Sequence, residues 1–198
     1  MIGQLPQTLK IRGVQYPIRT DFRNILKIIA AYSNKNLTDN EKVFVCIRRL
    51  FKYPNKLPKD SEFYAEALTE ANKFIECQLS SDKPGPSVLN WEKDEQLIFP
   101  AINKVAGVEV RTLDYLHWWT FLGYFQSIDR DDLWGTVLTI RQKKAKGKKL
   151  EKYEKEFLTA NRDLCALESG KARKTPEEKL REMYEQLLKE GGTDNAGK

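Results

Sequence analysis

The chain has 198 residues, 40% of them hydrophobic and 31% charged, with a formal net charge of +6. That length holds one domain, or two small ones, with a real core, and the composition is that of a highly charged globular protein. No apolar run approaches the roughly 20 residues of a membrane-spanning helix, and the start, MIGQLPQTLKIRG, lacks the apolar centre of a signal peptide, so synthesis and residence in a cytoplasm are expected.

Thr8-Leu9-Lys10-Ile11-Arg12 alternates polar and apolar side chains, the period of a strand. With Gly13-Val14 as the turn and residues 16–19 as the return, it reads as a β-hairpin, and Pro17 makes the second strand short or an edge. An isolated hairpin is marginal, so it must pack on helices or pair with another chain, and its edge offers an assembly handle. Thr20-Asp21 then caps a helix to about Ser33 whose buried face is Phe22, Ile25, Leu26, Ile28 and Ile29. Thr38 and Glu41 have the spacing of a capping box and open a second helix, with Val43, Phe44, Ile47, Leu50 and Phe51 as its core stripe. A third starts at Asp60-Ser61-Glu62 and runs to about Leu79, with Phe63, Ala67, Phe74 and Ile75 inward.

Two prolines and a glycine make residues 80–89 a linker. Residues 90–105 read as a helix with Asp94 and Glu95 in its first turn, a kink at Pro100 and an end at Gly107. An extended piece, 108–111, leads to Thr112 as the cap of the densest aromatic stretch, residues 113–128, where Trp118, Trp119, Phe121, Leu122, Phe125 and Ile128 recur at helical spacing. Helices over 132–144 and 150–167 follow. Thr175-Pro176-Glu177-Glu178 starts a last helix to about Glu190, before a frayed tail. The expected fold is mainly α, a helical bundle with a short N-terminal β-hairpin. Its expected division is 1–79, the linker 80–89, an aromatic-rich helical region 90–168, and a C-terminal helix with tail over 169–198.

The chemistry-bearing residues are sparse. Cys46, Cys77 and Cys165 are odd in number and widely spaced, which argues against a disulfide framework; Cys46, on an apolar helix, reads as a buried structural thiol. His117 is the single histidine, so no zinc site of the usual ligand types can form, and its place inside the aromatic run points to a packed or capping role. Asp129, Asp131 and Asp132 could in principle hold Mg²⁺, but the further acceptors of a metal loop are missing and an N-cap at 132–134 explains them more simply. No phosphate-binding glycine loop occurs. The expectation is a non-enzyme without cofactor or metal.

Charge is unevenly distributed: +5 over residues 1–90, −4 over 91–140, +7 over 141–174 and −2 over 175–198. Such alternation suggests complementary contacts within the fold or between chains. The tract Arg141, Lys143, Lys144, Lys146, Lys148 and Lys149 invites a nucleic-acid reading. No helix-turn-helix, RNP or zinc-finger pattern accompanies it, and the following EKYEKE can pair with it. A solvated or partner-binding surface is favoured.

An acidic turn and a Trp, then IRQKKAKGKKLEKYEKEFLTANRDL, resembles the bacteriophage Gp fifteen family. The hairpin and helix of LKIRGVQYPIRTDFRNIL, the chain length and the aromatic helix resemble it too, over most of residues 8–167. The resemblance implies a siphophage tail assembly chaperone, encoded next to the tape-measure gene, that binds and solubilises the helical, aggregation-prone tape-measure protein while the tail forms. It implies synthesis in the host cytoplasm, absence from the mature virion and no catalytic residues. Arg141, Lys143, Lys144, Lys148, Lys149 and Lys152 are the candidate partner-binding residues, and self-association into a coat would replace single-site affinity by avidity. The rival readings are a nucleic-acid-binding protein using 141–149 and a structural tail or connector component of the virion.

Overall fold

The computed structural model describes residues 3–77 and 88–167. The linker over 80–87 and the helix and tail over 169–198 lie outside the described residues. Two strands, β1 (Thr8–Ile11) and β2 (Val14–Pro17), precede eight α-helices among the described residues. These are α1 (Phe22–Ser33), α2 (Asp39–Leu50), α3 (Ser61–Ile75), α4 (Glu95–Ala106), α5 (Trp118–Gln126), α6 (Leu133–Ala145), α7 (Lys152–Ala160) and α8 (Arg162–Cys165). The fold is mainly α with a short antiparallel hairpin, as the periodicities predict.

In β1, Leu9 and Ile11 are buried and Thr8 is exposed. The turn is one residue earlier than the sequence suggests: Arg12 (φ 49) and Gly13 (φ 80) are its two left-handed residues, the pairing that matches the twist of a two-residue hairpin. Arg12 is held in that conformation from outside. Its guanidinium meets Asp60, Glu62 and Glu66 of the α3 start at 3.2, 3.6 and 2.9 Å. The edge beyond β2 is engaged at one end. The Lys52 N–H donates to the Pro17 carbonyl at 3.0 Å and the Arg19 N–H to that of Leu50 at 2.6 Å, so the chain around the end of α2 meets the end of β2, while Val14 and Gln15 are exposed.

Helix starts follow their caps. The Asp21 carboxylate accepts the Arg23 N–H, Thr38 and Glu41 form the capping box, and the Asp60 carboxylate accepts the Phe63 N–H. In α2, Phe44 departs from the expected core stripe: it is 63% exposed, while Cys46, Ile47 and Leu50 are buried. Helix α3 stops at Ile75, followed by Cys77 with φ 55, rather than reaching Leu79.

Helix α4 begins at Glu95, not Asn90. The Asn90 side chain accepts the N–H groups of Glu92 and Lys93 in a separate turn, and Asp94, buried, accepts the Asn90 N–H. Residues 110–112 form a 3₁₀ turn in place of an extended piece, with the Glu109 carboxylate accepting the Arg111 N–H. Thr112 is therefore not the cap of the aromatic helix. His117 is: its Nδ1 accepts the Trp119 N–H at 3.0 Å, and its Nε2 lies 3.0 Å from the Pro6 carbonyl. The helix cannot start at 113 because the chain there is already bonded to the start of α1. The Leu116 carbonyl accepts the Phe22 N–H, and the Trp118 N–H donates to the Thr20 carbonyl. The 150–167 helix is broken at Asn161 (φ −127, ψ 46) into α7 and α8.

The core is continuous across residues 78–87. Phe22 of α1 stacks on Phe121 of α5 at 4.4 Å between centroids, with Phe99, Trp91 and Trp118 around it. The indole N–H groups of Trp118 and Trp119 donate to the carbonyls of Ile75 and Phe74 at the end of α3. The aromatic stretch thus binds both halves of the chain into one hydrophobic cluster.

Candidate partner-binding surface

The surface is built on α6. Trp134, Val137, Ile140 and Arg141 lie on its buried face, which sets the rest of the basic tract outward. Gly147, with φ 63, ends the helix. The Lys148 N–H reaches the Lys143 carbonyl at 2.8 Å and the Gly147 N–H that of Lys144 at 3.1 Å, a Schellman turn that only a residue tolerating left-handed backbone can close. It redirects the chain so that Lys144, Lys146, Lys148, Lys149 and Lys152 are all exposed. Lys143 and Lys144 also sit in the last turn of α6, where the helix dipole favours cations.

Two members of the basic tract are committed inside the protein. Arg141, expected on the partner surface, is 2% exposed. Its guanidinium grips the Asp94 carboxylate with two bonds, 2.6 and 2.8 Å, and also donates to the carbonyls of Leu164, Cys165 and Ala166. It is therefore a positioning residue that holds α8 against the start of α4. The signal was present, since Arg141 falls one and two turns from Val137 and Trp134 on one face. Lys143 bonds both oxygens of Glu154 at 2.7 and 2.8 Å, fastening α6 to α7. Burial pushes the Glu154 carboxyl up, but Lys143 and the Glu151 N–H outweigh it and hold it below its usual range; the same contact raises Lys143.

Beside the exposed lysines lies a cleft of about 440 Å³. Phe125, Ile128, Trp134 and Leu138 line its apolar part, and Arg130, Lys143, Lys146 and Lys148 its basic rim. The wall over residues 129–130 is pressed onto α6 at Gly135: a Cβ there would overlap the Asp129 carbonyl oxygen and come within 2.7 Å of Arg130 Cα. The Trp134 indole N–H is buried without a hydrogen-bond partner among the described residues. No residue pattern announced this cleft, because its walls come from α5, the 127–132 turn and α6 together.

The acidic turn is structural. Asp132 stands at the N-cap of α6, but its carboxylate pairs with Lys104 at 2.7 Å and makes no cap bond. Asp129 accepts the Asp131 N–H. Among the described residues no group of three or more His, Cys, Asp or Glu side chains is placed to hold a metal ion, and no helix is long and apolar enough to cross a membrane. Cys46, Cys77 and Cys165 are free thiols.

The fold is mainly helical with a small hairpin, and it presents exposed lysines along a cleft with apolar and basic lining residues. The family model described as bacteriophage Gp15 protein matches residues 1–167. The chain belongs to that family and is a bacteriophage protein. No curated protein and no solved structure matches it.

Proposed function

We propose that this protein is a tail assembly chaperone that binds and solubilises the tape-measure protein in the host cytoplasm and is left out of the mature virion. The observation that carries the reading is the exposed lysine ridge beside the α6 cleft, in a chain of the Gp15 family. A long helical partner offers repeated amphipathic faces, and an apolar anchor flanked by carboxylates suits an apolar floor with a basic rim. Exposed ion pairs are individually weak, so such contacts act in number, as a coat requires. Nucleic acid is the alternative partner, since a basic rim could meet phosphates, but no nucleic-acid-binding sequence pattern accompanies the cleft.

The test is co-expression with the tape-measure protein of the same phage, read by pull-down and light scattering. A soluble complex with several copies of this chain per tape measure is expected. Replacing Lys144, Lys148, Lys149 and Lys152 with Gln is expected to abolish co-purification and leave the melting temperature unchanged, because these four side chains are exposed. An insoluble tape measure without bound chain overturns the reading. Mass spectrometry of purified virions separates the chaperone from a tail or connector component, and a gel-shift assay across salt concentrations tests the nucleic-acid alternative.

A further inference from the structure

The most exposed large hydrophobic side chain among the described residues is Phe44, at 63%. It stands at the lip of a second groove, about 400 Å³, between α2, α3 and the Pro54–Lys56 turn. Val43, Ile47 and Tyr64 line its apolar part, and Arg48 and Lys59 are its charged lining residues, with no carboxylate among them. The groove is braced. Arg48 bonds Asn55 at 3.0 Å, and its guanidinium lies 5.8 Å from the centre of the Phe44 ring. An occupant must bring an apolar side chain with a carboxylate beside it.

The chain displays that combination elsewhere. Leu133, at the first turn of α6, is 50% exposed. Asp129 and Asp131 flank it, both exposed, and the Asp131 carboxylate has no ion-pair or hydrogen-bond partner among the described residues. The knob is rigid: the Asp132 N–H donates to the Asp129 carbonyl at 3.2 Å, and the tight seat of residues 129–130 on Gly135 fixes the turn. Groove and knob sit on elements with different neighbours, α2 on α1 and α3, α6 on α4, α7 and α8.

We infer that the α2 groove receives the Leu133–Asp131 knob of a second copy of this chain. The knob meets Val43, Phe44 and Tyr64, and Asp131 faces Arg48 and Lys59. The contact is head-to-tail, and such contacts build open chains unless the rotation closes a ring. This rests on the chaperone reading only for its purpose, an extended coat along an extended partner. The contact itself stands or falls alone.

Sedimentation velocity on the full chain, with two single variants, tests it. The wild type is expected to grow in mass with concentration. Phe44→Ser removes the apolar lip on which the knob packs, and Leu133→Lys sets a cation against Arg48 and Lys59. Each variant alone is expected to remain monomeric, with an unchanged melting curve because both sites are exposed. Mixed in equal amounts they are expected to give a heterodimer that grows no further, since one variant keeps the knob and the other the groove. A wild type that stays monomeric or stops at a dimer, variants that assemble like it, or a mixture that stays monomeric overturns the inference. Tape-measure co-purification is scored separately. Its absence beside intact chain growth overturns the chaperone reading and leaves this contact standing.

Discussion

Arg141 shows how far charge type alone misleads. Grouped with the lysines around it, it reads as surface; its place on the buried face of α6 says otherwise, and only the fold brings Asp94 to it, 47 residues away in sequence. Removing one partner of a fully buried ion pair leaves the other charged and unsolvated, a loss of about 3–5 kcal/mol. Arg141→Ala is therefore expected to lower the melting temperature by on the order of 10 °C in calorimetry. Arg141→Lys is expected to recover little of this, because an ammonium cannot span both Asp94 oxygens and the α8 carbonyls together. Glu109 makes a different case. Its carboxylate is bonded first to the Arg111 side chain, and further to the Arg111 N–H and Asn103, which lowers its pKa from 4.5 to about 2. A depressed carboxyl stabilises the fold fully above its unfolded pKa and loses that contribution as pH falls toward the folded one. The 3₁₀ turn after α4 is thus expected to loosen between about pH 4.5 and pH 2, read as the Glu109 side-chain titration and the Val110 amide shift by NMR.

At the scale of elements, caps were legible and starts were not always. Thr38-to-Glu41 and Gly107 declare their roles through local chemistry, and the structure has both. The aromatic run was read as helical from 113 because its side chains have the right spacing. Backbone hydrogen bonding decided otherwise: residues 116–118 are engaged with the Thr20–Phe22 segment, which no local pattern encodes. Phe44 was assigned inward for the same kind of reason, since it lies beside the Val43–Ile47 stripe at the margin of the apolar face. Gly135 is the element-scale residue that carries the cleft. Gly135→Ala is expected to favour the α6 helix itself yet force the 129–130 wall away. The net result expected is a lower melting temperature and weakened tape-measure binding, whereas alanine at the uncrowded Gly123 has neither effect.

For the whole molecule, the expected N-terminal unit and helical region share one core. Phe22 has its closest stacking partner in Phe121, and Ile75 and Phe74 supply the carbonyls for two tryptophans. A fragment ending at Cys77 exposes those groups. It is expected to melt without a cooperative transition in circular dichroism, and co-expression with 78–198 is expected to restore one. The packing of both sides on one aromatic cluster was not legible, because hydrophobic surfaces carry no address.

The Arg141 grip on the carbonyls of Leu164, Cys165 and Ala166 has a consequence for where the chain can be cut as well as for stability. The three acceptors sit in the last few described residues, so a guanidinium in the middle of α6 sets where the described backbone closes on itself. A boundary placed before Leu164 strips Arg141 of all three and leaves it only Asp94 and the Val88 carbonyl.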